Sequence, residues 1–286
     1  MNKKLRLLSV FLLLLASFSP VVQAEASCTG SVRRWYSFRE LAWGDMNSWA
    51  DVDGNWVKDE QEIISPCILV SVTFGRGRVI CIGDEGFLSN VLVNEADNLR
   101  LGLNIIAWLA EAEGNRHRVL FDSAHNEMQD IGSGDPWRGY SIFAGKLRET
   151  GYTVEKNTAR ITWRTIKRFD VLVINGANKK FLPTEILAIV SFVLNGGGLL
   201  LMGEWHMSSQ QRVAETLNSI AHWFGVKFRK DTVCDMDIYW PEDHNVEAPQ
   251  RYTVIHVFGE HPVVNGVNEV YCYLGCSVEK CTCLKE

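Results

Sequence analysis

The sequence predicts an α/β protein: a doubly wound, mainly parallel β-sheet with an added β-hairpin. Three observations predict it. From Arg118 onward, short apolar runs alternate with amphipathic stretches of helical period. This alternation builds a parallel sheet covered on both faces. The runs at 170–175 and 199–202 are solidly apolar, as buried strands are. Residues 67–74 and 78–82 are β-rich runs flanking Gly75-Arg76-Gly77, which reads as a hairpin.

Taken in order, residues 32–38 form a plausible strand, followed by an irregular loop with Trp43, Trp49 and Trp56. The hairpin ends at Gly83-Asp84-Glu85-Gly86. Residues 99–112 place Leu99, Leu103, Ile106 and Leu109 at helix spacing. Strands follow at 119–122, 152–155, 170–175 and 199–202. Helices lie between them at 140–150, 162–168 and 183–194, and another follows at 211–224. Gly151, Asn195-Gly196 and Gly225 supply helix stops, and Leu182-Pro183-Thr184-Glu185 a start. Residues 226–228 and 252–258 read as strands. Residues 235–250 read as an acidic, aromatic loop.

The first 24 residues read as a secretory signal. Lys3, Lys4 and Arg6 precede an apolar core at 7–16, then Pro20 and the small-residue site Val22-Gln23-Ala24. An uncleaved N-terminal membrane anchor is the alternative. The expectation is an extracytoplasmic protein with no stable membrane span after cleavage. Hydrophobic residues make up 47% of the 286, enough for a full core, and the net charge is −5. That charge argues against a nucleic-acid partner, because phosphate binding needs a basic face. Eight cysteines permit disulfides in an exported chain. Cys67 and Cys81 flank the hairpin and can pair, or Cys81 is a buried thiol. The tail Cys276, Cys281 and Cys283 lacks a paired zinc knuckle.

Strand ends carry the candidate chemistry, because ligands of such sheets bind beyond the carboxyl ends of the strands. The first strand end offers Asp122, His125, Asn126 and Glu127. The next offers Asn175, Gly176 and Asn178, and the last offers Glu204, Trp205 and His206 after Gly203. Glu204, His125 and His206 are candidate catalytic groups, with Glu204 or Glu127 as a general base and His125 or His206 as its partner. The same groups suit a polar ligand, with Trp205 or Trp137 stacking on a sugar. His and carboxylate donors also suit a divalent metal. No motif such as H-E-x-x-H is present, so no metal or cofactor is assigned. The bland reading has Asp122 and His125 tie the loop together. Asp51-Val52-Asp53-Gly54-Asn55 opens like a calcium loop and continues to Asp59 and Glu62. Trp56 stands where such a loop needs glycine, so it reads as a solvated acidic loop. Gly132-Ser133-Gly134 reads as a flexible loop.

The run 119–224 resembles the class I glutamine-amidotransferase-like superfamily, a flavodoxin-like fold. The resemblance rests on Leu120-Phe121-Asp122-Ser123-Ala124-His125-Asn126-Glu127, on the strand 170–176 and on the turn 195–204. It is closest to the GIFT-type branch, whose domains occur in gliding, ABC-transporter-associated and intraflagellar-transport proteins. That branch lacks the catalytic cysteine at the elbow after the glycine-rich strand. Here Glu204 and Trp205 stand there instead, so the resemblance implies no glutaminase activity. It implies a non-catalytic ligand-binding or scaffolding module for a carbohydrate or a surface-complex protein partner. A cysteine-independent hydrolase using a Glu/His pair is the alternative.

The N-terminal part resembles the C-terminal end of the same kind of domain. The matching residues are Gly75-Arg76-Gly77-Arg78-Val79, Gly83-Asp84, Phe87-Leu88-Ser89-Asn90, Asn98 and 104–109. In relatives this segment follows the region that His261-Pro262 and Gly266-Val267 resemble; here it comes first. The expectation is a signal at 1–24, a hairpin-plus-helix segment at 25–115 and an α/β core at 116–286. Residues 25–286 would form one composite, circularly permuted domain. A domain-swapped or tandem arrangement is the rival. In the composite domain Asp84 and Asn90 also approach the strand-end crevice.

Overall fold

A computed structural model describes residues 35–111, 117–204, 212–236 and 252–281. The expected signal segment 1–24, Trp205, His206 and most of the acidic, aromatic loop lie outside these. Residues 35–286 cluster as one compact unit.

The central sheet has eight strands. They are β1 (Tyr36–Trp43), β4 (Cys67–Phe74), β5 (Gly77–Ile82), β6 (Arg118–Asp122), β7 (Thr153–Asn157), β8 (Val171–Asn175), β9 (Gly198–Met202) and β13 (Val257–Phe258). Their order is β13-β1-β4-β5-β9-β8-β6-β7. The β5–β9, β9–β8, β8–β6 and β6–β7 pairs are parallel, and the remaining three are antiparallel. The hairpin enters the sheet through β5, whose Arg78 to Ile82 pair in register with Gly198 to Met202 of β9. The sheet is therefore mixed α/β with a parallel heart, as a flavodoxin-like fold requires.

Side-chain alternation sorts the parallel strands into two cores. Ile80, Ile82, Phe121, Val173 and Leu200 join one. Val79, Cys81, Leu120, Leu172 and Leu201 join the other. Helices α1 (Asn98–Ala110) and α2 (Ser141–Glu149) cover the first face. Helices α4 (Pro183–Leu194) and α5 (Val213–Ala221) cover the second. Helix α3 (Trp163–Ile166) is one short turn, capped by the Thr162 side chain. Each fully buried aliphatic side chain contributes about 1.5–3 kcal/mol.

Smaller pairings finish the unit. Strand β2 (Trp49–Asp51) lies between β3 (Ile63–Ile64) and β11 (Thr232–Cys234). Strand β10 (Val226–Phe228) pairs with β15 (Val278–Lys280), and β12 (Tyr252–Ile255) with β14 (Val270–Tyr273). No described helix is long and apolar enough to cross a membrane.

Three local expectations are corrected. The first strand runs from Tyr36 to Trp43, because its pairing with β4 continues past Phe38 through a register shift near Glu40. The expected strand at 252–258 divides at His256, since β12 and β13 pair with different strands. Cys67 and Cys81 are both free: Cys67 faces Trp43 and Cys81 pairs with Val70, so the register holds them apart.

Candidate functional site

The parallel order β5-β9-β8-β6 sets four adjacent carboxyl ends along one edge of the sheet. Asp84 and Glu85 follow β5, Glu204 follows β9, Asn175 ends β8 and Asp122 ends β6. The expected convergence is therefore present, but the edge is filled rather than open. The segment 272–277 lies over it. Tyr273 N donates to Asp84 Oδ2 at 2.8 Å, and Cys276 N to the Gly83 carbonyl at 2.9 Å.

His125 organises one network. Its Nδ1 lies 2.5 Å from Asp122 Oδ2 and its Nε2 3.3 Å from Glu185 Oε1. The ring stacks on Phe181 at 3.9 Å. Its backbone N–H donates to Glu127 Oε2 at 2.9 Å, and its carbonyl accepts from Asn178 N and Lys179 N. Asn157 Nδ2 donates to Asp122 Oδ1 at 2.7 Å. Glu185 sits in the first turn of α4, where its carboxylate accepts from Leu182 N and Ile161 N. That reach-back is how a carboxylate caps a helix start. The His125 side chain is only 3% exposed and those of Asp122 and Glu185 0% and 3%.

The acids of this network differ in protonation. Burial, followed by the adjoining Asp122 carboxylate, pushes Glu127 up to about 9. Burial also works against ionised Asp122, but hydrogen bonds from His125, Glu127 and Asn157 outweigh it and lower its pKa. Glu127 thus serves as a protonated donor to the Asp122 carboxylate.

A second network follows β5. Burial and then neighbouring Glu85 raise Asp84 to about 8. Its oxygens accept from Gly86 N and Tyr273 N. Burial also raises Glu85, which Gln129 and Glu204 contact by hydrogen bonds. The Tyr140 hydroxyl donates to the Glu85 carbonyl. Glu204 is itself buried at 8% exposure.

Backbone geometry accounts for the identity of several of these residues. Asn126 is exposed and takes φ +57°, a left-handed turn that asparagine tolerates better than most residues. Gly176 takes φ +54°, and a Cβ there would lie 2.7 Å from Met128 Cγ. Gly203 owes its place to crowding: a Cβ would meet Phe228 at 2.7 Å and Cys276 Sγ at 2.9 Å. Asn90 reaches the loop 130–142 rather than the strand-end acids. It donates to the carbonyls of Ser133 and Asp135 and accepts from Ile142 N. Asn90 thus holds the Ser133 and Asp135 carbonyls on either side of Gly134, in the loop expected to be flexible. His261 caps the turn Pro262–Val264, and Asn104 of α1 donates to the Val263 and Asn265 carbonyls.

In the acidic loop, Asp51, Asp53 and Glu62 bring one oxygen each within 4.8 Å of one another. Their carboxylates accept from the backbone N–H groups of Gly54, Trp56, Asn55 and Val52. Trp56 adopts φ +63° in place of the glycine a calcium loop uses. A surface depression of about 440 Å³ between α3 and α4 touches only Glu185 of the two networks.

Sequence reasoning missed Glu85, Gln129, Tyr140, Asn157, Phe181 and Glu185 as site residues. Glu85 and Glu185 stood in the quoted strand-end and helix-start motifs, which was the signal available.

Residues 118–248, under half of the chain, match the family described as the IFT52 GIFT domain. An uncharacterized protein of Aquifex aeolicus (strain VF5) is 23% identical over 96 residues, which are 34% of this chain and 39% of that protein. The match thus spans well under half of the Aquifex protein. Among solved structures, the mmIFT52 N-terminal domain aligns at 15% identity and a TM-score of 0.45, over 58% of this chain and 69% of that one. The IMPa protein from Pseudomonas aeruginosa, solved with an O-glycopeptide, aligns at 10% identity and a TM-score of 0.35, over 62% of this chain and 18% of that one. The family match is confined to residues 118–248.

Proposed function

We propose that the chain is a non-catalytic binding or scaffolding module of the GIFT type, with circularly permuted amidotransferase-like order. One observation carries the first part. Both ring nitrogens of His125 face buried carboxylates, so this candidate partner of a general base is enclosed. A catalytic base must reach a substrate proton in an open pocket. Glu204 belongs to the other network, against Glu85, and lies away from solvent. The match to the GIFT family supports a scaffolding role with a protein partner. The permuted order rests on the N-terminal resemblance and on the pairing of β5 with β9.

One surface favours a carbohydrate ligand. Half-buried Trp137 and Tyr273 lie 5.1 Å apart between ring centroids, and Tyr252 stacks on Tyr273 at 4.5 Å. This aromatic row flanks the Asp84 end of the sheet, where Tyr273 is anchored. Aromatic faces beside polar groups suit sugar rings, which present apolar C–H patches and hydroxyls. The test is a thermal-shift screen of the full chain against oligosaccharides, with any hit followed for hydrolysis. The expected result is stabilisation by a glycan without turnover, weakened about tenfold in Trp137→Ala, the worth of one good stacking contact. Turnover that disappears in Glu204→Gln would contradict the non-catalytic reading.

A further inference from the structure

The chain is acidic overall, with a net charge of −5, yet residues 156–184 carry seven Lys and Arg side chains against one carboxylate, the buried Asp170. The fold gathers part of this stretch on the second face of the sheet. Ile161, Ile166 and Phe181 anchor it in the core there. Glu185 Oε1 accepts from Ile161 N at 3.0 Å and Glu185 Oε2 from Leu182 N at 2.9 Å, which holds α3 beside the start of α4. Arg160, Arg164 and Lys180 are exposed on these two segments. None of these three side chains is ion-paired with a described residue. Two large apolar side chains stand among them, Trp163 at 41% exposure and Leu182 at 39%.

Cations set around projecting apolar side chains call for an anionic partner with an apolar layer behind its charges. An acidic peptide is the lesser fit. Arginine grips a carboxylate best when its fork is held in place, and no described carboxylate holds Arg160 or Arg164. The two depressions that Trp163 borders carry the buried acids Glu185 and Asp170 in their walls, which repel an acidic side chain. A bilayer needs no fixed geometry. Its head groups rearrange around cations on long side chains, while indole settles at the boundary between head groups and hydrocarbon. We propose that Arg160, Trp163, Arg164, Lys180 and Leu182 form a surface that docks the folded chain on an anionic lipid bilayer. The cations meet the head groups, and Trp163 and Leu182 enter the interface without any of these residues crossing it. This surface shares no residue with the aromatic row of Trp137, Tyr252 and Tyr273 and does not depend on what that row binds.

The test is co-sedimentation of the full chain with vesicles of POPC containing about one-third POPG, in low salt. The chain binds these vesicles, and about 0.5 M NaCl weakens the binding by screening. Binding falls about 25-fold in Arg160→Gln/Arg164→Gln, fivefold for each neutralised cation. It falls about tenfold in Trp163→Ala, which changes no charge. Arg160 and Arg164 are exposed, so their variant keeps the parent Tm. Arg100→Gln/Lys146→Gln, on the helices of the opposite face, binds as the parent does. A contribution from the basic and apolar residues 3–16 is common to all variants and cancels in these ratios. Equal binding by the parent and Arg160→Gln/Arg164→Gln overturns the proposal. So does binding of poly-L-glutamate that this variant abolishes while Trp163→Ala leaves vesicle binding unchanged, which assigns the face to an acidic protein.

Discussion

Two buried polar networks share one edge of the sheet, and they are balanced differently. Around His125, each acceptor that the ring faces is matched: Asp122 by the ring, Glu127 and Asn157, and Glu185 by the ring and two backbone N–H groups. Around Glu85, two buried carboxyls meet, Gln129 donates to one of them, and the side-chain oxygen of Asn175 has no partner among the described residues. The difference teaches what each network can do. A matched network ties the loop after β6 to the sheet, because low-dielectric surroundings make every satisfied contact costly to break. The same Asp122, His125 and Glu127 bring one ligand atom each within 4.8 Å of one another.

The largest expected effect breaks the matched side. His125→Ala leaves the Asp122 and Glu185 carboxylates buried without their shared partner. Leaving a buried hydrogen-bonding group without its partner costs about 1–3 kcal/mol, and more for a charged one. Urea denaturation should show this as a lower midpoint with an unchanged slope. A loss below about 1 kcal/mol would mean that the network does not bind the loop to the sheet.

A smaller effect sharpens the comparison through pH. Glu127 is raised from 4.5 to about 9, first by burial and then by Asp122. A raised folded-state pKa gives stability that is complete below the unfolded value and lost as pH climbs through about 9. Glu127→Gln keeps a donor for Asp122 and an oxygen for His125 N–H, and does not ionise. The variant should match the parent in mildly acid buffer and exceed it by about 1–2 kcal/mol at alkaline pH. Parallel stability curves for the two proteins across that range would refute the shared proton.

The sequence carried the framework well and the balance of charges poorly. Solid apolar runs gave β8 and β9, and Pro183 with Glu185 gave the start of α4, because these signals are local. The strand-end rule brought Asp122, Asn175, Glu204 and Asp84 to one edge, since parallel order alone decides that. The pairing within the edge was not legible. His125 meets Glu185 across 60 positions, and Gln129 meets Glu85 across 44. No period or motif encodes such contacts. For the same reason the sequence did not show that Asn126 and Gly176 take positive φ. Free Cys67 and Cys81 make the same point: spacing allowed a bridge that register forbids.

The central claim is that the strand-end histidine is enclosed and unavailable for catalysis. Carbethoxylation of the native chain by diethyl pyrocarbonate, read by peptide mass spectrometry, tests it most directly. His256 supplies the internal reference, with a side chain 48% exposed against 3% for His125. The account predicts prompt modification of His256 and none of His125 until the chain unfolds. Modification of both at similar rates under native conditions would contradict it and return His125 to the list of reactive groups.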